Sequence, residues 1–476
     1  MSMDSISLKK IKHIHFVGIK GVGMAPLAIY AKEAGISVSG SDIADEFITD
    51  EVLLSKNIVW TVGFDPKDVP SRTNLVIATG AHGGMDNPQV KAAKERDIPV
   101  WMQGEAVGKF MEGHFGISIT GSHGKTTTTG MLATLLAKSG LDPSYIVGSG
   151  SMRPLGPAGH RGKGEYFIAE ADEYANEPTH DKTPKFLYQN PKIIIVSNID
   201  FDHPDMFTNL DEVRNATLQF LQKLRKDAVA IINGDDSQIQ KILPFITSKV
   251  ITFGMGAIND FSITKTGTIP QKTTFSVRHK DLDLGTFTIS IPGVHNCLNA
   301  LSVIIVGLEA GLPVDKIRRE LSAFQGGRRR FELLGMLSRG AMFYDDYAHH
   351  PKEIKETLLA AKQWFPKSRI TVVFQPHTFS RTKALFADFV HAFAQAHEVI
   401  ITNIYPSLRE AADPTVSGKA LVDAMRKLGM RATSIPKKED VVQYIGGKRY
   451  DQNDIIMTMG AGDIYKIASS LLASSV

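Results

Sequence analysis

The chain has 476 residues, room for about three domains at ~150 residues each. Hydrophobic residues make up 43% and charged residues 22%, a globular balance that excludes a disordered chain. Lys and Arg total 54 against 50 Asp and Glu, so the net +4 leaves no whole-chain charge footprint for nucleic acid. The single cysteine, Cys297, excludes a disulfide scaffold and a cysteine-cluster metal site. It lies in an apolar helical stretch, 295–307, and reads as a packed core thiol. Residues 1–12 are polar and basic, without the apolar core of a secretory signal. No stretch reaches the ~18 apolar residues of a membrane span. A cytoplasmic chain with no membrane and no nucleic-acid partner is expected, working as a monomer or weak homo-oligomer.

Strands are predicted at 14–17, 37–40, 59–62, 75–78 and 100–101, with a glycine-rich turn and a helix, 24–34, after the first. A second series begins near Phe115: a strand at 117–120, a loop at 121–124 and a helix at 125–139. Further apolar strands fall at 166–169, 193–196 and 228–232. From 261 to 291 the period becomes two, which predicts an antiparallel ribbon on the central domain. After Gly326-Gly327-Arg328-Arg329-Arg330 a third series has strands at 342–344, 370–374, 399–402 and 455–458. Alternating strands and helices predict parallel sheets faced by helices. The fold class expected is α/β in three domains: a Rossmann-like 1–111, a P-loop-type 112–327 with the small ribbon, and a Rossmann-like 328–476.

Gly121-Ser122-His123-Gly124-Lys125-Thr126-Thr127 joins a strand to a helix. Glycines let backbone approach a phosphate, the helix start supplies N–H groups, and Lys125 supplies charge. Thr126 can place a hydroxyl on Mg²⁺. The loop is shorter than the common spacing, because position 119 is Ile. The strands at 166–169 and 193–196 end in Glu170-Ala171-Asp172-Glu173 and Asn198-Ile199-Asp200-Phe201-Asp202-His203. In a parallel sheet these ends share one edge with the phosphate loop, and their oxygens suit Mg²⁺. Gly18, Gly21 and Gly23 form an altered dinucleotide fingerprint suited to a diphosphate, with Asp42 placed to reach a ribose or base. A nicotinamide dehydrogenase is the alternative there. The Arg328–Arg330 run could be a nucleic-acid patch, or a charged hinge.

Taken in order, these segments resemble the Mur ligases, the amide-forming enzymes of peptidoglycan precursor synthesis. The resemblance runs from residues 18–24 through 120–129, 170–173 and Asn198 to Asp205. It continues in Gly293-Val294-His295-Asn296-Cys297-Leu298-Asn299-Ala300, Arg329-Arg330-Phe331-Glu332, Asp345-Asp346-Tyr347-Ala348-His349-His350-Pro351 and Gln375-Pro376-His377-Thr378-Phe379-Ser380-Arg381-Thr382. It implies ATP and Mg²⁺ as cofactors. It also implies joining of an amine to the lactyl carboxylate of UDP-N-acetylmuramate through an acyl phosphate. The last two segments resemble members that add L-alanine. Glu173-Tyr174, Asp181-Lys182 and Lys185-Phe186 lean instead toward members that recycle the tripeptide L-alanyl-γ-D-glutamyl-meso-diaminopimelate. A UDP-sugar sensor with a dead ATP site would lack Lys125, Glu170 or His203, and all are present.

The resemblance also assigns roles. Lys125 and the loop 121–127 hold ATP phosphates, and Thr126, Glu170 and His203 hold the metal. His295, Asn296 and Asn299 lie by the adenine or ribose, while Arg330 and Asp346 close on the nucleotide. Gly18, Gly21, Gly23 and Asp42 bind the UDP-sugar, with Tyr347, His349 and Arg381 at the amine or muramoyl carboxylate. Lys125, Glu170, His203, Asp346, His349 and Arg381 form the catalytic set. The chain departs from the pattern at Thr378, where some relatives carry Arg, at Phe64, at Thr79-Gly80, and in a longer segment 174–185.

Overall fold

The computed structural model describes residues 8–473 except 205, 270, 338–339 and 407–409, so Asp205 of the acidic motif lies outside the described residues. Three sheets carry the chain. The first has five parallel strands in the order Thr61–Val62, Ser37–Asp42, His13–Val17, Leu75–Ala78, Val100–Met102. Order reverses beside His13–Val17, which opens a crevice at its C-terminal end. Gly18 turns there at φ +78°, and a Cβ would lie 2.4 Å from Thr79 Cγ2, so only glycine fits.

The central sheet is mixed. Lys249–Gly254, Val229–Asn233, Ile193–Val196, Phe115–Thr120, Tyr166–Glu170 and Ser144–Met152 are parallel neighbours. Apolar runs fit because helices cover both faces. Phe261–Ile269, Lys272–His279 and Leu282–Ile289 form the expected antiparallel ribbon, with Thr273, Phe275 and Val277 turned inward. Phe261–Ile269 pairs with Lys249–Gly254, so the ribbon extends the same sheet. Helices Lys125–Lys138 and Val294–Glu309 pack together over this sheet. Cys297 is buried in that core, and burial pushes its thiol up to about 12, as a packing thiol requires.

The third sheet runs Glu332–Met336, Met342–Asp346, Asp454–Met459, Arg369–Phe374, Glu398–Ile401, Ala432–Ser434. Only its first strand is antiparallel. The α/β class read from the strand–helix alternation is the class observed. Unanticipated are the hairpin Ser144–Met152/Gly156–His160 and the small hairpin Ala175–Glu177/Asp181–Pro184. The second hairpin makes up most of the longer segment 174–185. It reaches the first unit, where Asn176 Oδ1 accepts from Gly104 N at 3.2 Å and His180 Nε2 meets Asp86 Oδ2 at 2.8 Å.

Helix Ala25–Glu33 of the first unit lies on the larger hairpin, and a Cβ at Gly159 would sit 2.2 Å from Pro26 O. Glu33 closes this seam, 2.7 Å from both His160 Nδ1 and Lys56 Nζ. Burial opposes the Glu33 charge, but hydrogen bonds from His160 and Lys56 win and hold it near about 2. The Glu33 carboxylate holds the His160 pKa above its ordinary value. The signs follow from linkage. The Glu33 contribution is present above ~4.5 and fades as pH falls toward 2. The His160 contribution is complete below ~6.5 and fades as pH rises through its raised pKa. Glu33→Gln is therefore expected to lower the melting temperature most between pH ~4.5 and ~6.5, by roughly 1–3 °C for a part-exposed pair. A melting series against pH checks this; a difference that is flat across pH would refute it.

Candidate active-site cleft

Strand Phe115–Thr120 ends at a loop turned by Gly121 (φ +138°) and Gly124 (φ +84°), which delivers Lys125 to the start of its helix. The neighbouring strand end braces this loop. His123 N donates to Asn198 Oδ1 at 2.9 Å, Ser197 Oγ donates to His123 O at 2.8 Å, and Ser122 Oγ donates to Asp200 O at 3.0 Å. Lys125 Nζ donates to Gly121 O at 2.7 Å and pairs with Glu173 Oε2 at 2.9 Å. Burial works against the ammonium, yet Glu173 and Asp172 hold its pKa above the ordinary value. It is a cation at neutral pH, aimed into the loop.

Thr126 Oγ1 donates to Glu170 Oε2 at 3.2 Å, and Arg330 Nη2 donates to the same hydroxyl at 3.0 Å. Glu170 also accepts from Gly148 N at 2.6 Å, and burial raises its pKa. His203 groups elsewhere. Its Nε2 stands 3.7 Å from Asp202 Oδ2 and 3.9 Å from Glu173 Oε1. Atoms of Asp172, Glu173 and His203 lie within 4.8 Å of one another. The expected trio therefore divides into Thr126 with Glu170, and His203 with Asp172 and Glu173. Glu173 was missed as a site residue, although the acidic run after the strand contained the signal.

A cavity of about 420 Å³ separates the central and C-terminal units. It is lined by Gly124, Thr127, His295, Asn296, Asn299, Arg330 and Asp346, the residues expected around a nucleotide. Asn299 Nδ2 donates to Asn296 Oδ1 at 3.1 Å, and Asn296 Nδ2 donates to Pro292 O at 2.7 Å. Asn296 thus lies inside the helix turn as well as on the cavity. Asp346 accepts from Phe331 N at 2.7 Å and Ala348 N at 2.8 Å, and burial pushes its pKa up to about 6. It ties the hinge to the third sheet.

A second cleft, about 510 Å³, runs through all three units. Gly18, Gly21 and Gly23 line one end, Lys125, Glu170 and His203 the middle, and Tyr347, His349 and Arg381 the other wall. Asp42 is not on this surface. Its carboxylate accepts from Lys20 N at 2.7 Å and Ile43 N at 2.8 Å and stands 3.5 Å from His82, so it braces the glycine loop instead of facing a ribose. Burial drives the His349 pKa down to about 4, leaving a neutral imidazole competent to take up a proton. Arg381 is not an open anchor: Nε donates to Asp202 Oδ1 at 2.9 Å and Nη1 donates to His377 O at 2.7 Å. The His123 imidazole turns away from the phosphate cradle toward Asp200 at 3.4 Å and Glu353 at 3.3 Å. The arginine run is no nucleic-acid patch. Arg329 is 4% exposed and fixed by Asp345, Gly460 and Gly462, while Arg330 reaches Thr126.

Residues 13–115 match the Mur ligase family catalytic domain, 119–307 the Mur ligase middle domain, and 329–462 the Mur ligase glutamate ligase domain. The UDP-N-acetylmuramate–L-alanine ligase of Desulfitobacterium hafniense is 39% identical over 97% of this chain and 99% of its own. That of Geobacter sp. strain M21 is 38% identical over 97% of each. Among solved structures, the UDP-N-acetylmuramate–alanine ligase of Thermotoga maritima superposes with a TM-score of 0.80 at 26% identity, covering 97% of this chain and 98% of that one. A murein peptide ligase from Psychrobacter arcticus shares the fold at a TM-score of 0.72 and 22% identity, over 97% and 98% of the two chains. With three domain matches laid along a cleft that joins three units, the chain belongs to the Mur ligase family of ATP-dependent ligases.

Proposed function

We propose that this enzyme joins L-alanine to the lactyl carboxylate of UDP-N-acetylmuramate, with ATP converted to ADP and phosphate. The observation that carries the reading is the single cleft in which the first unit's glycine loop, the phosphate loop and the C-terminal wall meet. The named relatives at 39% and 38% identity support the choice of amine. The diphosphate of the UDP-sugar lies along Gly18, Gly21 and Gly23, where loop amides at a helix start favour anions. ATP occupies the cavity lined by His295, Asn296 and Asn299, its phosphates reaching 121–127.

The donor atoms suit magnesium: a hydroxyl and a carboxylate 3.2 Å apart at Thr126 and Glu170, with His203, Asp172 and Glu173 as a further group. When bound there, the metal would neutralise charge on the phosphate oxygens. Lys125 does the same from the protein side and orients the γ-phosphoryl group. The lactyl carboxylate attacks that group and becomes an acyl phosphate. The amine of L-alanine then attacks the acyl carbon, and phosphate leaves with its bonding electron pair. An acyl phosphate is open to hydrolysis, so walls drawn from three units serve to keep water out.

The test is phosphate release by the full chain with ATP, Mg²⁺ and UDP-N-acetylmuramate, offered L-alanine or the tripeptide. Release with L-alanine at a kcat/KM at least tenfold above the tripeptide is expected. A preference for the tripeptide would replace the amine and keep the ligase. No release with either would strike the reading as a whole.

A further inference from the structure

Helix Pro351–Trp364 of the C-terminal unit begins over the phosphate loop. His350 and Glu353 form its capping box. Glu353 Oε2 accepts from His349 N at 3.1 Å and His350 N at 3.3 Å. The other oxygen, Oε1, leaves the helix and faces His123 Nδ1 at 3.3 Å. On its far side His123 Nε2 faces Asp200 at 3.4 Å, and Asp200 takes the Lys352 ammonium. The His350 ring lies against the His123 ring, centroids 4.6 Å apart. Charges thus alternate from Lys352 through Asp200 and His123 to Glu353, crossing twice between the units. Neither His123 nor Glu353 is open to solvent, at 15% and 14% exposure. Glu353 also lines both the nucleotide cavity and the three-unit cleft, so it stands on the partition between them.

We propose that His123 and Glu353 are a positioning pair that seats the C-terminal unit on the phosphate loop and holds His349 in the cleft. The pair acts through its neighbours. Glu353 grips the backbone N–H of His349 and lies 3.4 Å from its ring Nδ1, while His123 shares the loop that delivers Lys125. Docking of the C-terminal unit and placement of the reacting groups become one event. A merely structural Glu353 would do no more than cap its helix.

The inference rests on the ligase reading, and its test separates the two. Glu353→Gln keeps an amide oxygen for the cap and drops the charge facing His123. His123→Asn leaves the cap untouched, and so serves as an independent probe if the first variant loses its helix. Each is expected to lower kcat for phosphate release ~10–100-fold, as a slightly misplaced reacting group does. ATP affinity, titrated in the full chain, is expected to stay within ~3-fold. The double variant is expected to be no slower than the slower single, because both remove one contact. Multiplying effects in the double variant, or unchanged kcat in His123→Asn, would overturn the pair and leave the ligase standing. An unmodified protein that releases no phosphate would strike the ligase reading instead.

Discussion

Lys125→Ala is expected to abolish phosphoryl transfer while leaving the fold in place. Gly121 and Gly124 make the turn, and the bracing hydrogen bonds come from Ser197, Asn198 and the Ser122 hydroxyl. None passes through the lysine side chain. What the variant loses is the ammonium that now rests 2.9 Å from Glu173 and, with nucleotide present, moves to the phosphate oxygens. The helix N-terminus still favours the bound anion, but it is fixed and carries only about half a charge. Loss of a clamp that tightens in the transition state typically slows a reaction ~10²–10³-fold. The fall should appear in kcat with a smaller change in ATP affinity. Glu173, left beside Asp172 without its cation, is expected to raise its pKa rather than unfold the loop. Phosphate-release rates and a thermal melt on the same preparation check both halves. A folded variant that turns over normally would remove Lys125 from the site.

Much of this was legible because the relevant residues are neighbours in sequence. The strands Leu75–Ala78 and Ile193–Val196 are continuous apolar runs, as strands buried on both faces must be, and both were read to the residue. The phosphate loop was readable for the same reason, since one strand–turn–helix segment carries its whole chemistry. Glu332–Met336 was not, because this edge strand buries one residue of five and offers no pattern. The hairpin Ser144–Met152/Gly156–His160 hides its alternation behind Gly148, Gly150, Gly156 and Gly159. Asp42 was placed by strand-end logic, which is blind to a loop that curls back and takes the carboxylate for its own amide. The contacts that join units were out of reach altogether. Arg381 and Asp202 are 179 positions apart, and nothing in either motif indicates that the two meet.

That last contact sharpens the expectation for the amine. Arg381→Ala is expected to raise the KM for L-alanine by ~10-fold or more, the loss of a charge-assisted contact of ~1.5–3 kcal/mol. The planar fork suits a carboxylate, and in this structure it already holds one, that of Asp202, at 2.8 Å from Nη2 and 2.9 Å from Nε. Asp202 marks where an incoming carboxylate would compete. A second variant separates an amine anchor from a clamp between units. If Arg381 only clamped the C-terminal unit to the central one, Asp202→Asn would weaken the same clamp and raise the KM as much. If it anchors the amino acid, Asp202→Asn removes a competitor and leaves the KM within ~3-fold of the unmodified enzyme, or lower; this is the expected result. ATP affinity should barely move in either variant, since neither side chain lines the nucleotide cavity. Arg381→Lys should recover part of the loss, because an ammonium keeps the charge and lacks the fork. An Arg381→Ala enzyme with an unchanged L-alanine KM would sink the assignment, and His349 could not inherit it, because burial holds that imidazole neutral.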